Sequence, residues 1–216
     1  MTHPLIVIEG SDGSGKQTQA DLALATLQAN GRIVAYFDFP RYETSLAGRM
    51  VKDSLTGKFG DFVGLHPKQA SLPYTLDRAG ARDDLVVALK RGVVICNRYV
   101  PSNSAHQGAK FAEIVEQDEF IAWLEMLEHD ELKLPRPTTT FYLYVPFEIS
   151  HTLMEGRARD QHESNEPYLR KVIDVYLRIA RERPDWKVVT CVQDGKLRSR
   201  EDIHQEVMSQ IRLLLS

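Results

Sequence analysis

Leu5-Ile6-Val7-Ile8-Glu9-Gly10-Ser11-Asp12-Gly13-Ser14-Gly15-Lys16-Gln17-Thr18 joins a short apolar run to a glycine-rich turn that ends in a lysine. The apolar run predicts a buried strand, and the stripe Ala20, Ala23, Leu24 and Leu27 after the turn predicts a helix. A glycine turn between a strand and a helix is a phosphate cradle. Glycines let backbone N–H groups converge on phosphate oxygens, the helix contributes its positive N-terminus, and Lys16 supplies a cation for β- and γ-phosphates. Gly10, Ser11, Asp12, Gly13, Ser14, Gly15, Lys16, Gln17 and Thr18 are therefore the candidate nucleotide-phosphate residues. One position departs from the G-x-x-x-x-G-K-[ST] pattern: the residue after the lysine is Gln17, with the hydroxyl of Thr18 one place late.

The rest of the chain fits this opening. Its 216 residues, 43% hydrophobic and 26% charged, are enough for one domain with a full core, so residues 1–216 are expected to form a single unit. A formal net charge of −3 argues against a general nucleic-acid binder, whose footprint would be basic. Cys96 and Cys191 lie in apolar runs and are expected to be reduced core residues, which suits a cytoplasmic compartment. The N-terminus leads directly into the first strand, so neither a signal peptide nor a membrane span is expected.

Apolar, β-branched runs recur at Leu5–Ile8, Ile33–Phe37, Val93–Cys96, Phe141–Val145 and Val188–Val192. Helical patterns lie between and after them, at Thr18–Ala29, Ala47–Leu55, Lys68–Lys90, Glu113–Leu132, Tyr168–Arg181 and Arg200–Leu215. Strands without polar alternation are covered on both faces. The expected class is α/β: a three-layer P-loop NTPase fold with a five-stranded parallel sheet flanked by helices. Ligands in such sheets bind at the carboxyl ends of strands, where three polar clusters fall.

The first cluster is Asp38-Phe39-Pro40-Arg41-Tyr42, in which Arg41 can clamp a phosphate with its fork of donors. The second is Asp77-Arg78-Ala79-Gly80-Ala81-Arg82 with Tyr74 before it. Tyr74 and Arg78, four apart on a helix, can address one planar base together. The third is Asn97-Arg98-Tyr99-Val100-Pro101-Ser102-Asn103-Ser104-Ala105-His106-Gln107-Gly108, read as a Ser-rich loop after the third strand.

Taken in order with the late segment Gly156-Arg157-Ala158-Arg159-Asp160-Gln161-His162-Glu163, these motifs resemble the thymidylate kinase family over nearly the whole chain. The resemblance implies transfer of the ATP γ-phosphoryl group to dTMP, giving dTDP for dTTP biosynthesis, with Mg²⁺ as cofactor and a homodimeric assembly. It assigns Lys16 and the P-loop amides to ATP. Arg98 and Arg41 go to the dTMP phosphate, Tyr74 to stacking under thymine, Arg78 to its O4 and Asn103 to the pyrimidine edge. Asp12 and Tyr42 fall near the deoxyribose and the metal, His106 near the sugar 2′ position, and Ser102, Gln107 and Glu163 in the acceptor site. Segment 156–166 corresponds to a lid, whose Arg157 and Arg159 would join Lys16, Arg98 and Asp12 in catalysis.

Two positions associated with Mg²⁺ in related enzymes differ here, Gln17 and Asn97, the latter where the family carries Asp. Mg²⁺ retains waters and prefers oxygen ligands, so phosphates, water, Asp12 and the amide oxygen of Asn97 are the expected donors. Two other readings stand beside a dTMP kinase: a kinase for another pyrimidine monophosphate, and a nucleotide-binding homologue with impaired catalysis.

Overall fold

The computed structural model describes residues 3–153 and 165–215. Five strands form one parallel sheet in the order β2-β3-β1-β4-β5: β1 Leu5–Gly10, β2 Val34–Asp38, β3 Val93–Asn97, β4 Thr139–Tyr144 and β5 Trp186–Thr190. All six residues of β1 are buried, as an apolar central strand without alternation requires. Its even residues Ile6 and Ile8 pack under helices α1 (Lys16–Ala29) and α9 (Arg200–Leu215), against Ala20, Ala23, Val207 and Ile211. Leu5 and Val7 face the opposite layer, built from α4 (Arg82–Arg91), α5 (Val100–Gly108), α6 (Ile114–Glu125) and α8 (Glu166–Glu182). The three layers are those expected from the sequence. A smaller cluster of Val51, Leu55, Phe62 and Ala70 joins α2 (Leu46–Leu55) to α3 (Pro67–Gly80).

Strand register brings the polar ends together. Asn97 lies beside Asp38, so β2 and β3 end level, while β1, whose Ile8 lies beside Asn97, runs two residues further to Gly10 beside Leu143 of β4.

Several boundaries differ from those read in the sequence. The run Lys68–Lys90 is two helices that meet at Ala81, just after Gly80, the poorest helix former in the stretch apart from Pro73. Asp83 and Asp84 then charge the first turn of α4 favourably. The segment after β3 is a helix, not a loop. Pro101 is tolerated in its first turn, and polar residues that would otherwise compete with helical hydrogen bonds have tertiary partners, Ser102 with Glu9 and Asn103 with Ser71. The end of the long Glu113–Leu132 pattern is π-helical over Met126–Glu131, where Leu132 N–H donates to Leu127 O at 3.0 Å. The last strand sits two residues earlier than expected. Val192–Gln193 (β6) leaves it to pair with Lys196–Leu197 (β7) in a small antiparallel hairpin. A short helix, α7 at Phe147–Leu153, had no signal in the sequence. Among the described residues no helix is long and apolar enough to cross a membrane, and Cys96 and Cys191 are buried free thiols.

Candidate active site

The turn from β1 into α1 is shaped by its glycines. Gly13 and Gly15 hold φ of 78° and 84°, where a side chain would be strained. At Gly10 a Cβ would come within 2.9 Å of the Leu143 carbonyl oxygen on the neighbouring strand. Gly15 precedes the first turn of α1 in the left-handed conformation, and no side chain caps the helix N-terminus. The hydroxyls of Ser11 and Ser14 are buried without a hydrogen-bond partner. Buried polar atoms are normally satisfied, so two orphan hydroxyls beside an uncapped helix N-terminus suit an anion. Lys16 Nζ donates to the Ser11 carbonyl at 2.8 Å and lies 3.7 Å from Asp12 Oδ1. Burial and the nearby Arg98 push the Lys16 amine down to about 8.

A groove of about 560 Å³ runs along this turn, lined by Asp12, Gly13, Ser14, Gly15, Lys16, Gln17, Thr18, Asn97 and Arg98, with Arg198 and Arg200 at one side. A second cavity, about 160 Å³, is lined by Asp12, Tyr42, Tyr74, Arg78, Arg98, Ser102, Asn103, His106 and Gln107. The two share Asp12, Phe39, Pro40, Tyr42 and Arg98 as a common wall. Gly10 and Ser11 do not line the groove. The Ser11 carbonyl holds Lys16 there.

Arg98 occupies that wall with φ 62°, a conformation non-glycine residues adopt rarely and which clusters at functional sites. Its N–H donates to the Ile8 carbonyl at 3.0 Å, and its Nη2 donates to Asp12 Oδ1. Burial would raise the Asp12 carboxyl, but Arg98 and then Lys16 hold it well below the usual range, so Asp12 is ionised at neutral pH.

Opposite the wall of Asp12, Tyr42 and Arg98, two helices add polar residues to the smaller cavity. On α3, Tyr74 and Arg78 both line it, as the four-residue spacing predicts. On α5, Asn103 Nδ2 donates to the Ser71 carbonyl at 3.2 Å, fixing α5 to α3. His106 receives at its carbonyl the Tyr168 hydroxyl, 2.8 Å away, and its ring meets Tyr176 edge-on at 6.1 Å. Gln107 is buried with Oε1 lacking a hydrogen-bond partner.

Arg41 is placed differently from the sequence expectation. Its backbone N–H and Nε donate to the Asp77 carboxylate at 2.7 and 3.0 Å, and Nη2 donates to the Asp77 carbonyl at 2.6 Å. It does not line the cavity and instead pins the Phe39-Pro40 segment to α3. Arg157, Arg159 and Glu163 lie outside the described residues.

At the expected metal position, Asn97 Nδ2 donates to Gln17 Oε1 and to Asp38 Oδ1, each at 2.9 Å, while Asn97 Oδ1 is buried without a hydrogen-bond partner. Among the described residues there is no cluster of three or more His, Cys, Asp or Glu suited to a metal. A divalent cation here fits only as an ion that brings most of its ligands with it, as phosphate oxygens and water.

Two residues that the sequence reading left without a role are central. Glu9, wholly buried, accepts hydrogen bonds from Tyr99 N–H (2.8 Å), Ser102 Oγ (2.7 Å) and Tyr176 Oη (2.9 Å). Burial pushes its carboxyl up. An acidic residue inside an apolar strand was the available signal. Glu128, equally buried, pairs with Arg78; it lies four residues after the buried Leu124 on the same helical face, and its charge disguised that inward position.

Comparison with known proteins settles the family. The thymidylate kinase family profile matches residues 8–207. The chain belongs to the thymidylate kinase family. The Mycobacterium tuberculosis thymidylate kinase is 36% identical over 185 residues, covering 82% of this chain and 85% of that protein. A probable thymidylate kinase of Methanocaldococcus jannaschii is 29% identical over 209 residues, covering 96% and 95%. Among solved structures, the Candida albicans thymidylate kinase superposes with a TM-score of 0.78 at 22% identity, covering 98% of this chain and 92% of that one, which establishes the same fold. The chain is accordingly a nucleoside monophosphate kinase, with ATP as phosphoryl donor.

Proposed function

We propose that this member of the thymidylate kinase family phosphorylates dTMP in the smaller cavity with ATP held in the P-loop groove. The observation that carries this reading is the shared wall: Arg98 and Asp12 belong to both cavities, so donor and acceptor phosphates would meet across Arg98. An oxygen of the dTMP phosphate attacks the γ-phosphorus, the bond to the β-phosphate oxygen breaks, and ADP leaves. The attacking oxygen is already anionic near neutral pH, so the protein needs no general base; it needs position and positive charge. Lys16 and Arg98 supply that charge, and Arg157 and Arg159 are assigned to add to it by the resemblance of their segment to the family's lid. In the acceptor cavity Tyr74 supports the thymine ring, Arg78 and Asn103 address its polar edge, and His106, Tyr42, Ser102 and Gln107 surround the sugar; Glu163 is assigned to the acceptor by family resemblance alone. Arg41 acts through Asp77, holding the wall of the site rather than a phosphate.

Mg²⁺ would arrive with ATP and neutralise charge on the phosphates. We assign Asp12 and the amide oxygen of Asn97 as its side-chain oxygens, in keeping with the unpartnered Asn97 Oδ1. We also take residues 1–216 as one domain, active as a homodimer in a reducing, cytoplasmic setting that suits two buried free thiols. The deciding experiment incubates the protein with MgATP labelled at the γ-phosphate and dTMP. Label in dTDP, equimolar with ADP, supports the reading; ADP without labelled dTDP overturns it.

A further inference from the structure

Arg78 and Glu128 form an ion pair of unusual completeness. Arg78 Nε donates to Glu128 Oε2 at 2.7 Å and Nη2 to Oε1 at 2.6 Å, while Thr75 Oγ1 donates to the same Oε1 at 2.7 Å. Glu128 is 0% exposed and Arg78 2%. Buried ion pairs of this kind give little net stability against an apolar pair of similar volume, so their value lies more in orientation than in holding the fold. Glu128 also sits in the π-helical turn Met126–Glu131, a local distortion that often marks functional positions. The pair leaves Nη1 as the guanidinium nitrogen outside the carboxylate fork, with only a 3.4 Å contact to the Tyr99 carbonyl, in a residue that lines the acceptor cavity.

We propose that Glu128 is a positioning residue for acceptor recognition: it holds the Arg78 guanidinium in one orientation, with Nη1 as the donor offered to the base. This rests on the smaller cavity being the acceptor site. Arginine has donors and no acceptors, so a guanidinium fixed in this way favours a pyrimidine with a carbonyl oxygen at that edge over one with an amino group. Losing Glu128 releases the orientation, and with it the preference for a keto over an amino pyrimidine.

The test measures kcat and KM for dTMP, dCMP and ATP in wild-type protein, in Glu128→Gln, and in Arg78→Met with and without Glu128→Leu. Glu128→Gln keeps the shape but places an amide N–H₂ against the arginine donors. The expected result is a rise of tenfold or more in KM for dTMP, an unchanged KM for ATP, and a fall of at least fivefold in the kcat/KM ratio of dTMP to dCMP. In the Arg78→Met background, Glu128→Leu should add less than twofold, because Glu128 acts through Arg78. A folded Glu128→Gln with wild-type KM for dTMP, or equal effects of Glu128 loss with and without Arg78, overturns the proposal. If Glu128→Gln does not fold, Glu128→Asp replaces it, with a threefold or greater rise in acceptor KM expected and an unchanged value contradictory. If wild-type protein prefers another monophosphate, the dTMP reading fails while Glu128 is judged on the KM of that acceptor; no turnover with any monophosphate overturns both.

Discussion

Asn97 donates a hydrogen bond to Gln17 at 2.9 Å, so the two departures from the family's metal-associated pattern are one linked pair rather than two separate losses. The same Asn97 amide donates to Asp38, and Gln17 Nε2 donates to Asp21 and Tyr36, at 2.8 and 3.0 Å. An amide bridge thus runs across the strand ends where other enzymes of this kind would present a hydroxyl and a carboxylate.

Replacing Asn97 by Asp should therefore act on two observables. The new carboxylate faces Asp38, whose carboxyl is already raised by burial, and removes the donor to Gln17, costing about 1–3 kcal/mol of stability. It also adds negative charge near the phosphates, so half-maximal turnover should need less Mg²⁺. Urea unfolding and a Mg²⁺ titration of initial rates measure these; an unchanged titration curve would defeat the assignment of Asn97 to the metal side.

Lys16 gives a pH prediction. Its folded pKa, about 8, lies below that of a free lysine, so the unfolded chain binds more protons between pH 8 and about 10.4 and the free protein gains stability as pH rises through that window. Triphosphate binding should restore the Lys16 charge. Calorimetry at pH 8.5 in buffers of different ionisation enthalpy should show net proton uptake on ATP binding; none, or proton release, would contradict it.

Arg98 should be worth far more to turnover than to folding. Arg98→Met removes a charge aimed at both phosphate sites and is expected to lower kcat about 10²-fold or more, with Arg98→Lys intermediate because an ammonium lacks the planar fork. It also removes the main partner that keeps the half-buried Asp12 carboxyl low, so a rise in the Asp12 pKa by NMR titration should accompany the loss.

Glu9 makes the opposite case. Glu9→Ala strands the buried donors of Tyr99, Ser102 and Tyr176 and should destabilise the protein by about 3 kcal/mol, while Glu9→Gln keeps one acceptor oxygen, and hydroxyls can turn to accept from its amide, so it should lose less. Chemical denaturation of the two variants reads the difference. Equal losses would mean that acceptor capacity is not what Glu9 contributes.

Much of this site was legible in the sequence because its signals are local. The P-loop needs glycines and a lysine at fixed spacing, and Tyr74 with Arg78 needs only helical periodicity. What escaped depends on tertiary partners. The segment after β3 carries Ser, Asn and Gly, residues that favour turns in isolation, and it becomes α5 because Glu9 and the Ser71 carbonyl engage its side chains. Arg41 reads as a phosphate clamp until Asp77, thirty-six residues away, takes its donors. Glu128 continues the buried face of Phe120, Ile121 and Leu124 four residues on, but a carboxylate at such a position reads as solvated until Arg78, fifty residues away, is found beside it.

The most direct measurement is an ADP-release assay across dTMP, dUMP, dCMP, dGMP and AMP with MgATP. The structure of the smaller cavity predicts the highest kcat/KM for dTMP, and a loss of that preference in Arg78→Met. Turnover with another monophosphate at a higher kcat/KM than dTMP, or none with any acceptor, would contradict it.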